Sequence, residues 1–199
     1  SLISQFISND NENSKVIQFF VHSMVKCLSS LSKSCYEKII EKLNEIFSLF
    51  VILLKDFSKD FKIHKSVLKS FKSFVSKMPN EFESYIYSFL TSIFKEDLYQ
   101  ATVKMESDKG NQRNYSVYVI APSINLLSQI LRNYPHFFGD AEMINYLLKV
   151  FVMGINSIYT KEIIASLHLF KKTLIFMNKS NIILPNVVRQ YVMYIISKM

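Results

Sequence analysis

Apolar residues recur along most of this chain at steps of three and four, the spacing that places side chains on one face of an α-helix. The first such segment, helix one, is expected to bury Ile17, Phe20, Val21, Met24, Leu28 and Leu31. A second segment begins at Ser34, where Glu37 three residues later indicates a capping box. This helix two is expected to bury Tyr36, Ile39, Ile40, Leu43, Phe47, Phe50 and Leu54. The pattern predicts that the two helices form an antiparallel hairpin.

Two further segments predict a second hairpin. Helix three covers residues 59–78, and Pro79 ends it because proline disfavours helical geometry in the residue before it. Asn80 is expected to cap helix four. Helix three is expected to bury His64, Val67, Leu68, Phe71, Phe74, Val75 and Met78. The corresponding set in helix four is Phe82, Ile86, Phe89, Leu90 and Ile93.

The segment MESDKGNQRN, residues 105–114, is polar and poor in apolar residues, which predicts an exposed loop. The loop divides the chain into residues 1–104 and residues 115–199, each with two predicted hairpins. Helix five contains Pro122, which cannot donate a hydrogen bond to the carbonyl of Tyr118, so we expect a kink there.

Three more helices are predicted in the second half. Helix six is expected to begin at Asp140, with Gly154 allowing a close helix contact, and helix seven at Thr160. Pro185 suits the first turn of helix eight. Helix seven is expected to bury Ile163, Leu167, Phe170, Leu174 and Met177.

The second helices of the four hairpins start near residues 35, 81, 141 and 186, at spacings of 46, 60 and 45 residues. The long spacing contains the polar loop. Repeat units of roughly 40–47 residues with two or three helices are typical of HEAT and armadillo proteins. We therefore predict an all-α fold, a right-handed α-solenoid of about four HEAT-like antiparallel hairpins. Such a solenoid is expected to be one segment of a longer protein.

Composition excludes several classes of protein. Gly and Pro number only seven among 199 residues, too few for the turns of a β-sandwich or barrel, and 49% of the residues are apolar, enough for a large core. The longest uncharged stretch, Asn114 to Leu131, is too polar to span a membrane. Two cysteines without a disulfide framework favour an intracellular protein.

The net charge of +8 comes from 21 Lys and 3 Arg set against 16 acidic residues. A basic chain can bind nucleic acid. Here, however, Ile, Asn, Phe, Tyr and Lys are all abundant, and all have AT-rich codons, so genome composition explains part of the lysine excess. We therefore expect nucleic-acid binding to be at most nonspecific.

Residues for catalysis are not apparent in the sequence. The three glycines are isolated, so no phosphate-binding loop can be built, and the four histidines are scattered. We predict no enzymatic activity, no cofactor and no metal. His22, Cys27 and Cys35 lie near one end of the first hairpin, but a fourth ligand is missing, and buried thiols that act as small hydrophobes are the alternative interpretation.

The most distinctive surface feature is a lysine ridge, Lys62, Lys65, Lys69 and Lys72, whose steps of three and four place four ammonium groups along one exposed line. The ridge either binds an anionic partner or only keeps helix three solvated. Without aromatic rings between the lysines, it is expected to bind polyanions nonspecifically. In a solenoid whose second helices line the concave side, Lys149 and Arg189 are further candidates for contact with a partner.

The stretches VIAPSINLLSQILRNYPHFFG, AEMINYLLKVFVMGINS and IASLHLFKKTLIF resemble the C-terminal half of importin-β superfamily nuclear transport receptors of the transportin-SR and importin-13 type. The resemblance implies a protein-binding segment that holds cargo on its concave face, is regulated by the GTPase Ran, contacts nucleoporins and works in cytoplasm and nucleus. The alternative is a HEAT-repeat scaffold of an RNA-processing, chromatin or vesicle-coat assembly.

Overall fold

The structure, a computed structural model, describes residues 11–56, 60–77, 79–180, 189–190 and 192–193. Over these residues the chain is helical and contains no β-strand. None of the described helices is long and apolar enough to cross a membrane. The all-helical class predicted from the apolar spacing is therefore confirmed.

Four helices form the first part of the fold: α1 (Asn11–Ser34), α2 (Tyr36–Glu41), α3 (Leu43–Asp56) and α4 (Phe61–Lys77). The predicted helix two is thus two helices with a break at Lys42. The predicted capping box is wrong, because α1 continues through Ser34 and Cys35 occupies the N-cap of α2 without a side-chain hydrogen bond. By contrast, the Asp60 side chain accepts hydrogen bonds from the first amides of α4.

Two long helices follow, and each contains a π-helical segment. The first consists of α5 (Pro79–Ser88), π1 (Phe89–Phe94) and α6 (Lys95–Ser107). The second consists of α7 (Gln112–Asn114), π2 (Tyr115–Ile120) and α8 (Ala121–Asn133). The residues at the junctions have right-handed helical φ and ψ, so each set of three is one continuous helix.

The ends of these helices correct two predictions. Helix four begins at Pro79 rather than after an Asn80 cap. Proline is tolerated at the first helical position because the backbone N–H that it lacks would have no hydrogen-bond partner within the helix. The predicted loop over 105–114 is mostly helical, and only residues 108–111 lie outside helices. They form a tight turn, in which the amide of Asn111 donates to the carbonyl of Asp108 at 3.1 Å. The polar composition of this segment therefore indicates that its side chains are at least partly exposed, and it does not indicate that the whole segment lies outside the helices.

A 3-10 turn (Pro135–Phe138) leads to α9 (Ala141–Ile155) and α10 (Thr160–Lys179). The predicted start at Asp140 is confirmed, since its Oδ1 accepts a hydrogen bond of 2.7 Å from the amide of Met143. The irregularity expected at Pro122 takes the form of π2, whose wide turn ends just before this proline. Most of the predicted helix eight, including Pro185, lies outside the described residues.

The predicted helices one, three, five and seven correspond to α1, α4, α8 and α10. They pack side by side: α1 on α4, α4 on α8, and α8 on α10. His22 Nδ1 lies 2.8 Å from Ser66 Oγ, and Ser70 Oγ donates to the carbonyl of Val25 at 3.3 Å, at sequence separations of 44 and 45. The nearly constant separation means that α1 and α4 run in the same direction. Lys172 Nζ donates to the carbonyl of Ser128, again 44 residues away, between α8 and α10.

The intervening helices pair differently from the predicted hairpins. Helix α3 packs more closely on α4 than on α1, and α9 packs more closely on α10 than on α8. In the α4 and α5–π1 pair, ring stacking joins Phe74 to Phe82 and Phe71 to Phe89, with centroids 5.6 and 4.4 Å apart. These crossed contacts show that this pair is antiparallel, as predicted for helices three and four.

Several residues predicted to be buried are exposed instead. Phe20 and Leu31 on α1, Ile40 on α2 and Leu167 on α10 have exposed fractions between 37% and 67%. Helix α1 buries Val21, as predicted, and also Val25 against α4. Because its described neighbours cover only one side, the buried stripe is narrower than the apolar pattern. A smaller core cluster lies between α9 and α10, and Val192 packs against it.

We predict that Gly154→Ala destabilises the fold, because a Cβ on Gly154 would overlap Ser166 Oγ and would lie 3.2 Å from Ile124 Cδ1. We expect a net loss of roughly 1–2 kcal/mol in the free energy of unfolding, after allowing for the better helix propensity of alanine. Gly110→Ala, whose nearest contact would be 3.7 Å away, is the control and should change it by less than about 0.5 kcal/mol. Urea denaturation measures both, and equal stabilities would contradict the close contact.

Candidate functional site

The lysine ridge lies on the one side of α4 that opens to solvent. Helices α1, α3, α5 and α8 pack around α4 and bury its apolar residues. Lys62 and Lys69 are exposed, whereas Lys65 and Lys72 are half-buried between neighbouring helices. The predicted ridge is therefore continuous, but it lines a depression instead of projecting from a free helix.

The first part of this depression lies between α1 and α4 and encloses about 520 Å³. Its cationic side chains are Lys26, Lys62, Lys65 and Lys69. Between them lie polar groups that can donate hydrogen bonds, contributed by His22, Ser30, Ser66, Ser70 and Tyr118.

The second part lies between α4 and α10 and encloses about 390 Å³. It shares Lys65 and Lys69 with the first part and adds Lys72, Lys161 and His168. Its apolar lining comes from Leu68, Val117, Ala121, Pro122, Ile164 and Ala165. We call the two parts together the basic groove, and among the described residues no acidic side chain lines either of them.

The cations of the groove are crowded. Partial burial lowers the pKa of Lys65, and the positive charges of Lys69 and Lys161 lower it further. None of the ion pairs in the described part of the chain involves a lysine of the groove. The ammonium groups therefore repel one another, and an external anion would relieve this repulsion.

The basic character continues beyond the groove along α10. Burial and the nearby charges of Arg132 and Lys72 lower the pKa of Lys172, whose Nζ donates to the carbonyl of Ser128 at 3.1 Å. Lys172 lies in a further depression of about 420 Å³ with Arg132 and Lys179. Because the charge of Lys72 in the groove lowers the pKa of Lys172, the positive field of the groove extends to the depression around Lys172.

One aromatic ring lies among the lysines, contrary to the expectation from their spacing. Lys65 Nζ lies 4.6 Å from the centroid of the Tyr118 ring, within the range of a cation–π contact. Phe61 is a further neighbour of this ring, at 6.5 Å between centroids. The ring was missed because Tyr118 belongs to π2, whose position beside α4 the sequence pattern does not indicate.

His22 and Ser66 form a pair that the sequence analysis did not anticipate. Burial lowers the pKa of His22, Lys26 and Lys62 lower it further, and Asp60 acts in the opposite direction. A serine beside a neutral histidine is an element of nucleophilic catalysis, which also needs a third group to orient the base. In the described part of the chain, the hydrogen bonds of His22 include no such group. The pair instead contributes hydrogen-bonding groups to the wall of the groove.

The other predicted residues lie elsewhere. Lys149 is exposed on α9 and Arg189 is exposed near the C-terminal end, and neither lines the basic groove. The interpretation of Cys27 and Cys35 as buried thiols is wrong, because both are exposed. Within the described ranges, no three His, Cys, Asp or Glu side chains are placed to hold a metal ion.

Two other histidines connect helices. His64 is buried, and its Nε2 lies 2.9 Å from Asp97 Oδ2, which links α4 to α6. His136 Nε2 lies 2.7 Å from Glu83 Oε1, which links the 3-10 turn to α5. Each contact thus joins two elements of the fold.

The sequence contained one signal for α10 that was missed. Residues at steps of three and four place Lys161, Ile164, His168, Lys172, Ile175 and Lys179 on one face. This face carries two isoleucines among four basic residues, and its members line both depressions. Its polar members were overlooked because the analysis followed only the apolar residues of that helix.

No family model, curated protein or solved structure matches this chain.

We predict that heparin binds more tightly as pH falls from about 7.5 to about 6. Protonation of His22 adds positive charge to the groove, whereas sulfate groups keep their charge. Because the folded-state pKa of His22 is lowered, its part of the increase comes below the ordinary value of 6.5. Each added charge should strengthen binding about threefold at low salt.

Fluorescence anisotropy with a labelled heparin fragment measures this effect. His22→Gln should remove most of the increase. His136→Gln is the control, since His136 lies outside the groove and contacts Glu83. An unchanged pH dependence in His22→Gln would exclude His22 from the binding surface.

Proposed function

We propose that this chain is a non-catalytic binding segment that holds an anionic macromolecule in the basic groove. The observation that carries the proposal is the convergence of lysines from α1, α4 and α10 on one depression, which has no acidic residue in the described part of its lining. Lysines that only keep a surface soluble are more stable when they are spread apart than when they line one depression. Their crowding has an energetic cost that a bound anion would offset.

The groove also provides more than charge. Serine and tyrosine hydroxyls line its first part, and apolar side chains line its second part. A bound partner could therefore exchange hydrogen bonds with water for hydrogen bonds with the groove while burying some apolar surface. This combination supports binding of a macromolecule rather than of free inorganic ions.

A repeat architecture is a second part of the proposal. The nearly equal sequence separations between α1 and α4 and between α8 and α10 support a stack of similar units, in which each first helix lies beside the next. In this arrangement the basic groove belongs to the layer of first helices. Lys149 lies on a second helix, α9, so the two candidate surfaces can be tested separately.

Transport between cytoplasm and nucleus is a narrower hypothesis, which rests on the sequence resemblance alone. If it is correct, the anionic partner is a cargo or a regulator, and binding depends on the nucleotide state of Ran. The scaffold alternative predicts a constitutive partner in an RNA-processing, chromatin or vesicle-coat assembly. The transport hypothesis and the scaffold alternative require the same non-catalytic binding surface.

We predict that Lys65→Glu combined with Lys69→Glu weakens heparin binding at least about tenfold at low salt, because like charges facing each other across an interface are strongly unfavourable. The matched control is Lys38→Glu with Lys104→Glu, which changes the net charge equally at exposed positions outside the groove. The control should stay within about twofold of the parent. Equal weakening in both double variants would show that net charge alone explains the binding.

The same titrations, repeated with Lys149→Glu, test the layer of second helices. We expect little change for this variant and a linear fall of log affinity with log salt concentration for the parent. A larger loss from Lys149→Glu than from the groove variant would move the binding surface to α9. Circular dichroism of each variant provides the control for folding.

We also predict, for the transport hypothesis, that the protein associates differently with Ran in its GTP and GDP forms. Pull-down from nuclear extract with each form measures this difference. A conformational switch requires a ligand to bind two states with different affinities. Equal association, or none, would reject the transport hypothesis and leave the scaffold alternative.

A further inference from the structure

The exposed face of α10 carries two isoleucines among its basic residues. Ile164 is 50% exposed and Ile175 is 47% exposed, although both lie beside depressions of the surface. An exposed aliphatic side chain is common on protein surfaces. Two of them on one helical face, each surrounded by cations, are a more specific arrangement.

Each isoleucine belongs to a different depression. Ile164 lines one depression together with Lys65, Lys69 and Lys72 of the ridge and the apolar residues Val117 and Pro122. Ile175 lines the other, together with Leu131, Phe176, Lys172 and Lys179. Eleven residues of α10 separate the two isoleucines, which corresponds to about 16 Å at about 1.5 Å per residue. The surface therefore offers two apolar contact points within one basic field.

This arrangement distinguishes between classes of anionic partner. Single-stranded nucleic acid gains affinity mainly by stacking bases on aromatic rings or arginine planes. In the basic groove, the Tyr118 ring already contacts the ammonium group of Lys65, and the exposed apolar contacts are aliphatic. Aliphatic side chains between ammonium groups match a chain that alternates carboxylates with apolar side chains.

We infer that the basic groove and the adjoining face of α10 bind an acidic protein segment whose apolar side chains contact Ile164 and Ile175. This inference rests on the proposed function and adds the chemistry of the partner. Carboxylates of the segment lie against the lysine ridge and Lys161, and its two apolar residues fill the two depressions. The lysines give attraction that depends on salt, and the isoleucines select acidic segments that carry apolar residues.

The test uses two peptide probes of equal length and charge. One consists of five Glu-Glu-Leu repeats and the other of five Glu-Glu-Ser repeats, so they differ only in apolar content. A thymidine strand with the same number of negative charges represents nucleic acid. We expect the leucine peptide to bind the parent about tenfold more tightly than the serine peptide, since burial of apolar surface adds to the charge attraction.

The variant Ile164→Ser with Ile175→Ser should remove most of this tenfold difference and leave binding of the serine peptide unchanged. Ile52→Ser with Val103→Ser is the matched control, because these residues are 43% and 42% exposed on α3 and α6. The control should keep the difference. Circular dichroism and thermal unfolding establish that both double variants are folded.

The outcomes separate the inference from the proposed function. If the two peptides bind equally, or the isoleucine variant changes nothing while the Lys65 and Lys69 reversal abolishes binding, the inference is overturned and the proposed function stands. Tighter binding of the thymidine strand, with part of the affinity kept at high salt, would also overturn it in favour of nucleic acid. If none of the three probes binds the parent, both the inference and the proposed function fail.

Discussion

The enclosure of α4 is the constraint on which the rest of the structure depends. This helix buries Phe71, Phe74 and Val75 completely and has neighbours on nearly every side. A helix in that position must still place its charged residues where water or a partner can reach them, because an unpaired buried ammonium group is very costly. The four lysines consequently share the single open strip between α1 and α10. The charged groove is thus a direct result of apolar packing on the opposite side.

The same enclosure explains how the aromatic residues are used. Phe71 stacks on Phe89, and Phe74 stacks on Phe82, so two successive turns of α4 and the first three turns of α5–π1 form one block of rings. Such pairs contribute about 0.5–1.5 kcal/mol each beyond the burial of their area. Rings committed to this block are not available at the surface. The groove therefore relies on lysine and aliphatic groups for recognition, with Tyr118 as an exception.

The sequence predicted what a single helix determines by itself. Steps of three and four located the lysine ridge, and the side chain of Asp140 identified the start of α9. The neighbours of each helix could not be predicted in this way, because periodicity defines a face without saying which element covers it. Lys26 and Lys161 come from helices far from α4 in the sequence, so their place in the groove depends on tertiary packing. Phe20 and Leu167 were assigned to the core because apolar residues are usually buried, but no described helix covers them.

Helix boundaries were harder to predict where the chain has no marker residue. Nothing at Lys42 indicates a break, since neither glycine nor proline is nearby, and π1 lacks a proline like that beside π2. The loop around residues 108–111 was predicted too long because its sequence contains many polar residues that are typical of loops. Its flanks are polar on all sides, and a polar composition is compatible with a helix end as well as with a loop.

The π2 segment has a consequence for tolerance of changes in chain length. A π turn holds about one residue more than an α turn, so π2 accommodates a surplus residue while the faces before and after it stay aligned with their neighbours. Deleting one residue between 115 and 120 would let the segment revert to α geometry without rotating α8. The same deletion inside α8 would rotate everything beyond it by about 100° and turn buried residues such as Leu127 away from the core. The two π segments are thus the places where these long helices can lose a residue at the lowest cost to the fold.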